Sequence, residues 1–257
     1  VIAGITIVYA GVMAMLQNSI KLLLIYSTVC QLGYVLMAFS FGTSLGVAGG
    51  LLHLVNHMLL KDTLFLAAGA VMAATHATML DELGGLGKRM PLTFGFFLFA
   101  GLSLSGVPPL NGFVSKWIIF EAAFQSGHWV LGAAAMVSSL FTLAAILKFA
   151  YAAFMGVPTE KALTASEAPR AMLVPMGILT AASVVSGLFP GLLLVPIATI
   201  EAELGLEPIA ASLTGPLPGA FDAGWNPTLL AIVLALLALL LLPWQRLGRG
   251  VQRGGIH

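Results

Sequence analysis

Charge is what this sequence has least of. Only 8% of its 257 residues are Asp, Glu, Lys or Arg, while 59% are hydrophobic. A soluble domain carries roughly a quarter charged residues. A surface with a third of that number could not stay in water, so a soluble globule is excluded. Net charge is scarce too, at +1, and there is no basic stripe. That argues against a disordered chain and against a nucleic-acid binder. Cys30 is the sole cysteine, which excludes a disulfide framework and a thiolate metal cage. Strand-like alternation is missing, which argues against a β-barrel. So are an initial Met and a charged leader with a small-residue cleavage site. The chain opens inside an apolar run, and the expectation is a piece of something longer.

What is abundant is helix-length apolar sequence, with a mean hydropathy of +1.02. A helix needs ~20 apolar residues to cross ~30 Å of hydrocarbon. The runs fall at 1–16, 20–41, 47–74, 91–125, 129–155, 171–195 and 226–242. The expected fold class is an all-α polytopic membrane protein with about seven transmembrane helices. The fourth run is long enough to reach ~52 Å as one straight helix. Its middle reads Ser105-Gly106-Val107-Pro108-Pro109-Leu110-Asn111-Gly112. Two adjacent prolines remove two N–H donors and clash with the preceding turn. The run is therefore two spans or one helix interrupted between Val107 and Gly112. Taken as one element, it puts Lys88, Arg89, Lys161, Arg170, Arg246, Arg249 and Arg253 on one side. The positive-inside rule makes that side cytoplasmic. The loop 196–225, with Glu201, Glu203, Glu207 and Asp222, then lies outside.

An ionisable residue inside a span costs ~2.5 kcal/mol or more at mid-membrane and is a functional candidate by default. The third run contains His53, His57 and Lys61, spaced i, i+4, i+8 and hence on one helical face. Neutral His passes a proton through its two ring nitrogens. Burial disfavours the charged form of an amine, so a buried amine can release and regain a proton. A ladder of such groups, with water between them, makes a proton wire. The plainer reading is that the histidines hydrogen-bond neighbouring helices and Lys61 pairs with Asp62. A zinc site is disfavoured, because the glutamate of the metalloprotease motif is absent.

Lys116 follows the Asn111-Gly112 end of the break. Broken helices at bilayer depth are tolerated only beside protein or a wet cavity, and transporters put ion sites there. The alternative is a plain kink, with Lys116 reaching to an interface. Lys21 is either an interfacial anchor or a proton station. Lys148 lies near a helix end, where snorkelling is the simpler reading. Glu121 is either an exit carboxylate or a solvated end group. Lys61 and Lys116 are expected on neighbouring helices, facing one another across water.

These residues resemble a family. Gln17-Asn18-Ser19-Ile20-Lys21 and Tyr26-Ser27-Thr28-Val29-Cys30-Gln31-Leu32-Gly33-Tyr34 are similar to the "DIKR…YST.SQ.GY" helix of antiporter-like proton-pumping subunits. Such subunits occur in respiratory complex I, Mrp-type cation/proton antiporters and membrane-bound energy-converting hydrogenases. His53 to Lys61 resembles their "HL..HA.FK" helix. Gly84 to Pro91, followed by Gly106 to Lys116, resembles their "GGL.K.MP…G.PP..GF.SK" signature. The resemblance implies that His57 and Lys61 are central relay positions and that Lys116 is the relay residue of the broken helix. His53 and Lys21 would complete the polar axis, with Glu121, Asp62 and Lys148 as exit or tuning groups. Gly106, Pro108, Pro109 and Gly112 would form the break. Asn18, Leu22 and Asp62 depart from the pattern. Nothing matches the earlier inverted copy that the family carries, and a C-terminal half is the favoured reading.

The implied organisation is a proton-translocating bundle over 1–155, a following span over 156–195, and an acidic loop, last span and basic tail over 196–257. The implied function is proton translocation within a redox-driven respiratory or hydrogenase complex. The alternatives are an Mrp-type Na+/H+ antiporter subunit and a non-conducting scaffold. The chain lacks a Cys or His cluster suited to iron–sulfur or haem, so no cofactor is expected in it. The implied partners are other membrane subunits, another antiporter-like one among them, together with lipid, protons and, for the antiporter alternative, Na+. The implied location is an energy-transducing prokaryotic membrane.

Overall fold

The structure is a computed structural model. It describes residues 1–212 together with Asn226, Leu229, Leu230, Ile232 and Val233. Nine α-helices form among the described residues: α1 (Ile2–Leu16), α2 (Ile20–Ser40), α3 (Ser44–Thr75), α4 (Pro91–Ser105), α5 (Asn111–Gln125), α6 (Trp129–Ala150), α7 (Glu160–Thr164), α8 (Arg170–Leu188) and α9 (Gly191–Glu203). No strand forms among them.

Local chemistry sets the boundaries. Ser19 and Thr43 cap α2 and α3 by accepting from Leu22 N–H and Gly46 N–H, satisfying donors that have no helical partner. Pro91 stands at the start of α4, where its missing N–H does no harm. His76 ends α3 in the left-handed region. At the end of α6 the backbone widens into a π turn over Tyr151–Met155.

α2, α3, α6 and α8 are each long and apolar enough to cross a membrane. α4 and α5 have 15 residues each, or ~22 Å at 1.5 Å per residue, too short for ~30 Å of hydrocarbon. Their packing shows how they cross it together. Phe97, Ala100 and Leu104 of α4 join Leu60, Leu64 and Ala67 in the second half of α3. Val114 and Ile118 of α5 join Ala48 and Leu52 in its first half. The two helices therefore run end to end, antiparallel to α3, as one interrupted element. With α1 packed along α2 and α6, six membrane-embedded elements are described. The seventh expected one, at 226–242, lies mostly outside the described residues, as do Arg246, Arg249, Arg253 and Asp222.

The ends of the bundle differ in charge. Ile20 N–H donates to Thr78 O and Leu80 N–H to Asn18 O, which joins the 17–19 turn to the 76–90 loop. Lys161 lies 3.6 Å from Glu82 and brings the 156–169 segment to the same end. This end carries the loop bases Lys88, Arg89, Lys161 and Arg170, together with Asp81, Glu82, Glu160 and Glu167. The opposite end holds Glu201, whose carboxylate accepts from Ile209 N–H. The loop Lys and Arg among the described residues thus gather at one end, as the single-element reading requires.

One boundary needs correction. The run 171–195 is not one span, because α8 stops at Leu188 and α9 starts at Gly191. Pro190 disfavours helical backbone at the residue before it, and Phe189 is indeed non-helical. The external loop expected from residue 196 consequently begins as helix, with Leu194 and Ile197 buried on α3.

Candidate functional site

The break between α4 and α5 organises the site. Gly106 has φ of +88°, where an L side chain is strained. It closes α4 with two bonds, Gly106 N–H to Ser103 O and Val107 N–H to Leu102 O, a glycine-type C-cap. The position a Cβ would take on Gly106 is 3.2 Å from Lys116 Cδ, so the lysine stem runs against this glycine. Gly112 stands where a Cβ would lie 1.9 Å from Ser103 O, and no side chain fits there. The Pro108–Pro109 bond is cis. Non-helical backbone covers 106–110, while Asn111 and Gly112 already belong to α5.

Polar side chains supply what the break leaves unpaired. The Ser103 hydroxyl accepts from Gly112 N–H at 3.1 Å and donates to Asn111 Oδ1. Asn56 of α3 donates to Asn111 O at 2.9 Å. The Asn111 amide returns a bond to Asn56 at 3.1 Å and another to Ser186 of α8 at 3.1 Å. Four elements are thus tied at one depth, and all four side chains are buried. Such a network is stable only when its members are satisfied.

Beside it runs a second polar line. His53, His57, Lys61 and Lys116 are all buried, with Lys116 only 1% exposed. The Lys61 ammonium donates to Leu24 O at 3.0 Å and to the Ser27 hydroxyl, both on α2. One helical turn along α3, His57 has no partner for Nε2 among the described residues. Its ring lies 6.4 Å from that of His53. His53 is clamped on both nitrogens. Nε2 lies 3.1 Å from Gln31 Oε1, and Nδ1 lies 2.9 Å from the Ser115 hydroxyl on α5. Gln31 in turn donates to Thr142 of α6 at 3.3 Å. Lys116, next to Ser115, places its ammonium 4.7 Å from the Tyr34 ring centre and donates to Ser139 at 3.2 Å. The Tyr34 ring lies 5.8 Å from His53.

The order along this line is Lys61, His57, His53, Lys116. The two lysines are on neighbouring helices, α3 and α5, as expected. They do not face one another, however, because Lys61 turns to α2 and Lys116 to Tyr34 and α6. The histidines occupy the interval between them. Chemically this is a buried series of groups that can each hold and release a proton, fixed by hydroxyl and amide neighbours on α2, α5 and α6.

Other expected site residues lie elsewhere. Lys21 is exposed in the first turn of α2, at the basic end, and the structure does not bring it to the line. Lys148 donates to Gln17 O at 2.9 Å and to Met15 O at 3.4 Å, so it closes the end of α1. That is a helix C-terminus binding a cation, not a step of the line. Glu121 is buried, 3% exposed, which removes the reading of a solvated end group. It accepts from Gln125 at 2.7 Å. Gln125 borders a half-open pocket of about 310 Å³ with Thr43, Ser44, Leu45, Ala122 and Ser126. Asp62 is exposed on the outside of α3 and makes no ion pair with Lys61. Among the described residues no group of three or more His, Cys, Asp or Glu could hold a metal ion.

Gln31, Tyr34, Ser27, Ser115 and Asn56 were not singled out from the sequence as site residues. A signal was present for three of them: Ser27, Gln31 and Tyr34 recur at i, i+4, i+7, one face of α2.

The chain was compared with known proteins. The family described as "NADH:quinone oxidoreductase/Mrp antiporter, TM" matches residues 1–142. The NADH-quinone oxidoreductase subunit N of Desulforudis audaxviator is 36% identical over 199 residues, covering 73% of this chain and 40% of that protein. Hydrogenase-4 component B of Escherichia coli is 33% identical over 266 residues, covering 94% of this chain and 39% of that protein. Among solved structures, a chain of the membrane-bound sulfane sulfur reductase, an archaeal respiratory membrane complex, superposes with a TM-score of 0.86 at 33% identity. That match covers 94% of this chain and 40% of that one. The chain spans about two fifths of the length of these relatives.

Proposed function

The chain belongs to the NADH:quinone oxidoreductase/Mrp antiporter transmembrane family, and on that footing we propose that it moves protons as an antiporter-like membrane subunit of a redox-driven complex. The observation that carries the reading is the buried line Lys61–His57–His53–Lys116, which crosses from α3 to the broken helix inside an otherwise apolar bundle. Intramembrane ionisable groups are rare unless they face a polar path.

The geometry supports a sequence of steps. Lys61 receives a proton on the side nearer the basic loops and holds it against Leu24 O and Ser27. Water bridges to the free His57 Nε2, since a buried polar atom without a partner is where an internal water binds. From His57 the proton crosses by water to His53, whose ring lies 6.4 Å away. His53, held by Gln31 and Ser115, delivers it toward Lys116 at the break. From there Glu121 and Gln125 lead to the half-open pocket bordered by Thr43, Ser44 and Ser126. The break keeps Lys116 beside unwound backbone, which lets water and a charge stay at this depth.

The redox reading is preferred to an Mrp-type antiporter. The two matches that run through 94% of the chain are named as a hydrogenase component and a sulfane sulfur reductase chain. This subunit would then carry no redox cofactor, and partner chains would supply electron transfer and the rest of the proton path. Another antiporter-like subunit would be among them, in a prokaryotic energy-transducing membrane.

The test uses the whole complex in sealed vesicles, with Lys61→Ala in this chain. Redox-driven proton movement should fall to the background of uncoupled vesicles while the subunits still co-purify. Undiminished proton movement from an assembled Lys61→Ala complex would overturn the reading.

A further inference from the structure

Asp62 is the carboxylate that the line does not use. It follows Lys61 in sequence, but adjacent positions on a helix point ~100° apart, and the Lys61 ammonium is engaged on α2. Asp62 stands exposed on the outer surface of α3 and has no hydrogen bond or ion pair among the described residues. Along the helix axis it is ~20 Å from Thr75 and ~27 Å from Ser44, at 1.5 Å per residue. That places it within the hydrocarbon, where an isolated carboxylate is strongly disfavoured. It borders an open, largely apolar pocket of about 530 Å³ between α3 and α8, with Phe65, Leu66, Gly69, Met172 and Leu179. A Cβ built on Gly69 would meet nothing nearer than 3.7 Å, so the floor of this groove admits the close approach of another helix.

We propose that the α3–α8 groove around Asp62 docks a transmembrane helix of a neighbouring subunit, which presents a Lys or Arg to the Asp62 carboxylate. Charge complementarity selects this occupant. Lipid tails offer Asp62 no partner, and headgroup cations lie too far from mid-membrane. The apolar run 226–242 contains no Lys, Arg or His and so offers Asp62 no cation. The Lys61 ammonium bonds to α2 and lies 5.7 Å from the centre of the Phe65 ring, which borders the groove; the proposed contact is made by Asp62 and concerns assembly.

The test is made in the full complex, with Asp62→Lys and Asp62→Asn in this chain and a photo-cross-linking residue placed at position 62. Asp62→Lys should lower recovery of one particular partner subunit by about tenfold or more, the scale expected when a buried charge pair is broken. Asp62→Asn should lower it less, and the melting temperature of the detergent-purified variant chain should stay at the native value. The cross-link should map to a partner helix next to a Lys or Arg, and reversing that residue's charge should restore recovery with Asp62→Lys. Full recovery of every partner with Asp62→Lys overturns the proposal. So do cross-links only to lipid or to residues 213–257 of the same chain. Should Asp62→Lys fail to insert, Asp62→Asn and the cross-link decide the matter.

Discussion

Lys61 and Lys116 differ from Lys148 in the company they keep, although all three are lysines on apolar helices. Lys148 binds the terminal carbonyls Gln17 O and Met15 O of α1. Carbonyls at a helix end carry partial negative charge and attract a cation. Lys61 has a carbonyl from within α2, a hydroxyl and the Phe65 ring 5.7 Å away, while Lys116 has a hydroxyl and the Tyr34 ring. None of the three has a carboxylate partner. The difference is burial and continuity: Lys61 and Lys116 are 3% and 1% exposed and adjoin other titratable groups, while Lys148 is only half-buried and adjoins none. A lysine with fixed carbonyls at a helix end is an anchor. A lysine fully enclosed among hydroxyls and imidazoles is suited to exchange its proton.

That contrast can be broken in graded ways. The largest expected effect comes from Asn111→Leu, which removes the residue that ties Asn56, Ser103 and Ser186 together at the break. Unpairing these buried groups should destabilise the chain by about 2–4 kcal/mol, read as a lowered midpoint in detergent denaturation, and proton movement should fall as Lys116 loses its placement. Lys148→Met is smaller. It frees the α1 carbonyls at a partly exposed site and should cost about 1 kcal/mol of stability, with the ratio of protons moved to electrons transferred unchanged. Lys161→Ala is the smallest. Its pair with Glu82 is solvent-exposed, and such pairs contribute little. Assembly and proton movement should match the native chain.

Much of this was legible before the structure. Pro108 and Pro109 announced the interruption, because a missing N–H and a ring clash are local properties of the chain. The face shared by His53, His57 and Lys61 follows from helical spacing alone. What sequence could not resolve were choices made by tertiary contacts. Position near a helix end sets Lys148 apart from Lys116, but nothing local gives the partners: carbonyls of a helix more than a hundred residues away for Lys148, and Tyr34 for Lys116. Lys21 matches a family motif, yet its exposure at the start of α2 keeps it off the buried line. Glu121 was undecided because burial at a helix end depends on what packs over it. Pro190 is a local signal for the α8–α9 break, but Pro175 in the same apolar run and Pro196 just after it lie inside α8 and α9 without ending them, so proline alone does not say where the run divides.

The most direct measurement compares Lys116→Ala with Lys148→Ala in sealed vesicles bearing the whole complex, scoring protons moved per electron transferred. The account predicts a collapse of that ratio for Lys116→Ala and an unchanged ratio for Lys148→Ala, since only the former belongs to the buried line. An unchanged ratio for Lys116→Ala, with the complex assembled, would contradict it.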